Sequence, residues 1–111
     1  MIRHISIFFL KKDRTKEEYR AFEKALEDME ALLAPIRGYA SGRDCMSRPP
    51  SGLTGVPEFG DVAQVIDFAD RAAAENYAVH PAHRKLTEEY GGLIERVVAV
   101  DFETNPHDAD Y

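Results

Sequence analysis

The sequence predicts an α+β domain in which one sheet of four strands is covered by helices on a single face. Three observations lead there. Short stretches of alternating apolar residues take turns with stretches in which apolar residues recur every three or four positions. Clusters of glycine, proline and polar residues punctuate the boundaries between them. The first and last alternating stretches are apolar on both faces, as strands buried on two sides are.

Residues 2–10 form the first strand, with His4, Ser6, Phe8 and Leu10 on one face and Ile5, Ile7 and Phe9 on the other. After the polar turn Lys11 to Arg14, Thr15 followed by Glu18 is a capping box. Tyr19, Phe22, Leu26, Met29 and Leu33 then recur at helical spacing, predicting an amphipathic helix that ends near Pro35. Ile36 to Cys45 reads as a second strand around Tyr39 and Ala40, its edges blurred by Gly38 and Gly42. From Met46 to Gly60 three prolines and three glycines exclude regular structure, leaving an extended loop that is either a pocket wall or a plain connection.

Val62, Gln64, Ile66 and Phe68 alternate with Ala63, Val65 and Asp67 to give a third strand. Asp70 caps a short alanine-rich helix running through Tyr77. A further helix begins at Pro81, carries Leu86 and Tyr90, and stops at Gly91-Gly92. Leu93 to Phe102 completes the sheet, so residues 1–103 read as one domain and 104–111 as an acidic tail.

Helices cover only one face of such a sheet. Ile5, Ile7, Phe9 and Val97 in water would make a larger apolar patch than a monomer usually exposes, so a homodimer joined sheet to sheet is expected. A net charge of -6 without a basic run argues against nucleic acid and anionic membranes as partners. The apolar stretch at the N-terminus is too short for a signal peptide and no run approaches transmembrane length, which suggests a cytoplasmic protein. Cys45, the lone cysteine, has no internal partner for a disulfide or a thiolate metal cluster and is expected to be a small half-buried residue.

The chemistry concentrates in Asn76-Tyr77-Ala78-Val79-His80-Pro81-Ala82-His83. With Pro81 as first helical residue, His80 becomes the cap and His83 falls in the first turn, where the positive helix end disfavours a cation and favours the neutral imidazole of a general base. His4 and Ser6 share a strand face with Phe8, and together they would floor a pocket roofed by Phe22 and Met29. The plainer alternative is that His80 and His83 serve the fold, as a cap and as a donor to a backbone carbonyl, with Tyr77 closing the core. An i to i+3 histidine pair can also suggest a metal, but no nearby Asp, Glu or Cys completes a ligand shell, so no metal or other cofactor is expected.

His4 on the first strand, the Tyr-x-x-His-Pro-x-His segment at 77–83 and the ending Arg96-Val97-Val98-Ala99-Val100-Asp101-Phe102 together resemble the stress-responsive A/B barrel domain family over residues 2–102. The resemblance implies a ferredoxin-like monomer whose four-stranded antiparallel sheet packs on a partner's to close a dimeric barrel. Similar plant proteins are stress-induced, and a polyketide cyclase of the family performs a cofactor-free aldol condensation. Its catalytic base aligns with His83, its substrate-binding tyrosine with Tyr77, and its other pocket imidazoles with His4 and His80. The chain departs from that cyclase by an insertion between Arg43 and Phe59 and by Arg84-Lys85 after His83.

The functional expectation is therefore cofactor-free acid/base chemistry of aldol, cyclase or isomerase type on a carbonyl or phenolic compound. His83 and Tyr77 would be catalytic, and His4, His80, Ser6, Phe8 and Phe22 would contact a small aromatic or polyketide-like ligand. The alternatives are a non-catalytic small-molecule binder and a stress-response protein without turnover. Haem chemistry, known on similar dimeric folds in other families, is a weaker option.

Overall fold

The computed structural model describes residues 1–46 and 58–104. Its elements run β1 (Ile2–Leu10), α1 (Lys16–Leu32), β2 (Gly38–Arg43), β3 (Val62–Phe68), α2 (Arg71–Tyr77), α3 (Pro81–Tyr90) and β4 (Ile94–Glu103). The strands form one antiparallel sheet in the order β2-β3-β1-β4, a ferredoxin-like arrangement with β1 and β3 inside and β2 and β4 at the edges. The 46–60 loop and the 104–111 tail fall largely outside the described residues, and His107 with them.

Local signals account for the boundaries. Thr15 caps α1 by accepting from the Glu18 N–H, and the Glu18 carboxylate reaches back to the Thr15 N–H. Asp70 caps α2 through the Ala73 N–H. The first helix stops at Leu32, short of Pro35, because a residue preceding proline is pushed away from helical conformation. The second strand is also shorter than Ile36 to Cys45, and Cys45 beyond it is exposed rather than half-buried.

The core lies between the helices and one face of the sheet. Phe8 and Leu10 of β1, Val62, Ile66 and Phe68 of β3, and Phe22, Leu26 and Met29 of α1 are buried there. Phe22 is inaccessible and meets Phe8 edge-on with ring centroids 5.2 Å apart and Tyr90 at 5.5 Å, the separations favoured by aromatic quadrupoles. It fills the core rather than lining a ligand pocket. Met29 is equally buried, so neither residue forms the expected roof.

The opposite face has no helix. It presents Ile5, Ile7 and Phe9 beside Val98, Val100 and Phe102, of which Ile7 and the three β4 residues are exposed. The register corrects Val97: it pairs with Phe8 and faces the helix side, while Val98 pairs with Ile7 on the open face. At one end of that face Arg3 donates to both oxygens of Asp67, its cross-strand neighbour, at 2.7 and 3.1 Å. That pairing holds the Asp67 carboxyl below its ordinary range. At the other end the Arg96 guanidinium lies 4.0 Å from the Phe9 ring centroid.

Phe22→Ala is expected to lower stability by about 3–5 kcal/mol, because removal of an inaccessible ring leaves a cavity its neighbours cannot close. Urea unfolding followed by circular dichroism would measure it; a loss below about 1 kcal/mol would place Phe22 at a yielding edge of the core.

Candidate active site

A cavity of about 410 Å³ opens between the α2–α3 corner and the inner face of β1 and β4. Its floor is His4, Ser6 and Phe8 from β1, Gln64 from β3, and Val97 and Ala99 from β4; its roof is Tyr77, Ala78, His83, Leu86 and Thr87. The volume suits one small organic molecule, and the lining is mainly apolar with a few polar groups, as ligand sites usually are.

The corner is built as the sequence predicts. Pro81 is the first residue of α3, and His80 Nδ1 accepts the Ala82 N–H at 3.0 Å. That bond turns the His80 ring to the helix end, and His80 does not line the cavity, unlike the expectation for it as a substrate contact. The tight turn brings His83 over Tyr77, with ring centroids 4.6 Å apart. On the other side of Tyr77 lie His4 at 5.3 Å and Phe68 at 5.6 Å. Of the expected site residues, His4, Ser6, Phe8, Tyr77 and His83 share the cavity, while His80 and Phe22 stand outside it.

His83 is held below the ordinary imidazole range chiefly by desolvation, with smaller contributions from His4 and His80. Its approach to the Ala78 backbone works in the opposite direction. Ala78 is the C-cap of α2, where carbonyls lack helical partners. The expected cause of the neutral ring was the helix end; the leading cause in the structure is burial.

Tyr77 is buried, and desolvation pushes its hydroxyl up from the ordinary phenol range, so it remains a hydrogen-bond donor across the usable pH range. It donates to Gln64 Oε1 at 3.3 Å; Gln64 Nε2 donates to Tyr39 Oη at 3.0 Å, and the Tyr39 hydroxyl donates to the Leu26 carbonyl. Gln64 has almost no exposed surface. The alternation of β3 puts Gln64 in a row with Val62, Ile66 and Phe68, and an amide in that otherwise apolar row was the available signal.

His4 sits between two partners, with Nδ1 2.6 Å from Asp101 Oδ1 and Nε2 2.8 Å from Ser6 Oγ. Asp101 was quoted in the sequence motif but assigned no function. Among the described residues no cluster of three or more His, Cys, Asp and Glu is disposed to hold a metal.

A helix-roofed cavity holding paired imidazoles and a phenol, on a ferredoxin-like sheet with one uncovered face, defines the class of small α+β barrel-type domains. The chain belongs to the stress-responsive A/B barrel domain family, whose model matches residues 2–104. A dimeric ferredoxin-like protein of unknown function from Thermobifida fusca is 27% identical, with 91% of this chain and 88% of that one covered and a TM-score of 0.70. A dimeric protein of unknown function and ferredoxin-like fold from Bacteroides fragilis is 25% identical over 92% and 94% of the two chains, at a TM-score of 0.69. The hydroxynitrile lyase of Passiflora edulis shares the fold at a TM-score of 0.74 and 14% identity, over 95% and 94% of the chains. No curated protein matches the sequence.

The imidazole of His83 should protonate at a pH below 6.5. Histidine-selective NMR across a pH titration would show this, and a midpoint above that value would contradict its desolvated position under the corner.

Proposed function

We propose that the chain self-associates through its open sheet face and that its cavity performs cofactor-free acid/base chemistry, of aldol, cyclase or isomerase type, on a small carbonyl or phenolic compound. His83 takes a carbon-bound proton, Tyr77 gives a hydrogen bond to the enolate oxygen that develops, and His4 orients a polar group of the substrate. The observation that carries this reading is the state of His83. Desolvation under the corner holds the ring below its ordinary range, so the neutral imidazole that can take a proton persists to lower pH than usual. Activity dependent on this base falls as pH descends through its lowered pKa, so the acid limb lies below 6.5.

Self-association is supported by the exposed Ile7, Val98, Val100 and Phe102 and by the dimeric state named for the Thermobifida fusca and Bacteroides fragilis proteins. No helix among the described residues is long and apolar enough to cross a membrane, and the exposed, unpaired Cys45 suits a reducing cytoplasm. The Passiflora edulis lyase supports the architecture alone at its level of identity.

One observation favours a second reading, non-catalytic binding of a small molecule or a stress-response role without turnover. The Tyr77 hydroxyl is already donated to Gln64, and among the described residues no buried side-chain nitrogen or oxygen lacks a partner. On that reading the polar groups complete the core and the cavity only holds its ligand.

The test uses 4-hydroxyacetophenone, which carries both a phenol and an enolisable ketone. The protein should accelerate exchange of its methyl protons in deuterated water, and His83→Ala should reduce that acceleration by about 10²–10⁴-fold. Saturable NMR shifts at His4, His83 and Tyr77 without exchange would favour the binder, and retained exchange in His83→Ala would reject the base. Sedimentation should give twice the 12.5 kDa chain mass for wild type and variant alike; a stable monomer at micromolar concentration would overturn the sheet-to-sheet dimer.

A further inference from the structure

The cavity floor holds a second arrangement, independent of His83. Ser6 and His4 lie two residues apart on central strand β1 and therefore on one face, and Asp101 is the cross-strand neighbour of His4 on β4. The distances are 2.8 Å from Ser6 Oγ to His4 Nε2 and 2.6 Å from His4 Nδ1 to Asp101 Oδ1. An ionised carboxylate only accepts, so Asp101 fixes the imidazole proton on Nδ1. Nε2 then presents its lone pair and receives the Ser6 hydroxyl proton, which is the proton arrangement of an activated serine.

We propose that Ser6 is a nucleophile and that the cavity hydrolyses esters of small apolar acids through an acyl-serine intermediate. The surroundings fit such a substrate. Ser6 is 5% exposed, and the cavity beside it is walled by Phe8, Leu86, Ile94, Val97 and Ala99, which receive an apolar acyl chain. Asp101 is largely exposed at the sheet edge, so its carboxylate stays hydrated while its imidazole partner is mostly covered.

In the first half-reaction Ser6 Oγ bonds to the ester carbonyl carbon and its proton passes to His4 Nε2. The bond from that carbon to the alcohol oxygen breaks, and the alcohol leaves with the proton from His4. In the second, water adds to the acyl-serine carbon and gives a proton to His4. The carbon–Oγ bond breaks, Ser6 recovers its proton, and the carboxylic acid departs. Tyr77, whose ring centroid lies 5.3 Å from that of His4, is a lining hydroxyl donor that can turn to the carbonyl oxygen once it leaves Gln64.

The experiment treats the full chain with p-nitrophenyl butyrate and follows p-nitrophenol release and the intact mass. A burst of p-nitrophenol with a butyryl group mapped to Ser6, or steady release lost in Ser6→Ala, is the expected result. The exposed Asp101→Asn leaves the core intact but reverses the tautomer preference of His4, a change that costs about 10⁴-fold in a serine triad, and at least a tenfold loss is expected here. Release equal in wild type and both variants, or acylation mapped only to lysine or tyrosine, would overturn the proposal.

Discussion

The turn from α2 into α3 fixes where the reactive groups of the cavity roof sit. Pro81 cannot donate a backbone hydrogen bond, and its ring confines the chain to a helical start. Around it the backbone closes on itself: the His80 N–H reaches the Tyr77 carbonyl at 3.1 Å, and the Arg84 N–H reaches the His80 carbonyl at 3.0 Å. His80 caps the new helix through the Ala82 N–H. Tyr77 and His83, six residues apart, meet ring against ring because this corner has no slack.

Tyr77 in turn ties the corner to the sheet. Its hydroxyl has left water, so it requires a partner inside, and Gln64 supplies one from the middle of β3. A buried amide makes the same demand on its other end, which Tyr39 meets, and the Tyr39 hydroxyl ends on the Leu26 carbonyl of α1. One polar chain thus spans α2, β3, β2 and α1 through an otherwise apolar core. The arrangement aligns the roof with the floor, since a shift of the corner would strand two buried polar groups.

The two faces of the sheet diverge for a related reason. With α1 resting toward β2 and α2 against β1 and β3, the edge strand β4 receives little helical cover. Its inner residues Val97 and Ala99 border an opening instead of a packed core, and that opening is the cavity. Its outer residues Val98, Val100 and Phe102 extend the apolar row of β1 over the bare face. Incomplete cover of a single strand therefore creates the cavity, while the absence of helices on the other side leaves the apolar row exposed.

Elements, caps and strand faces could be read from the chain because their causes are local. The Thr15–Glu18 box, the Asp70 cap, the Pro81 start and the alternation of β1 each depend on residues a few positions apart. The same locality made His83 and Tyr77 legible as a pair and His80 as a cap, and the motif at 77–83 pointed to the family. The tertiary structure alone decided which side chains reach the cavity. Phe22 obeys its helical period yet is consumed by the core, because α1 packs its apolar stripe against Phe8 and Tyr90. Asp101 meets His4 across 97 residues through strand register, and Gln64 finds Tyr77 only when the corner closes over β3. Periodicity specifies a face, but contact between distant faces depends on register and packing, which no short stretch of sequence contains.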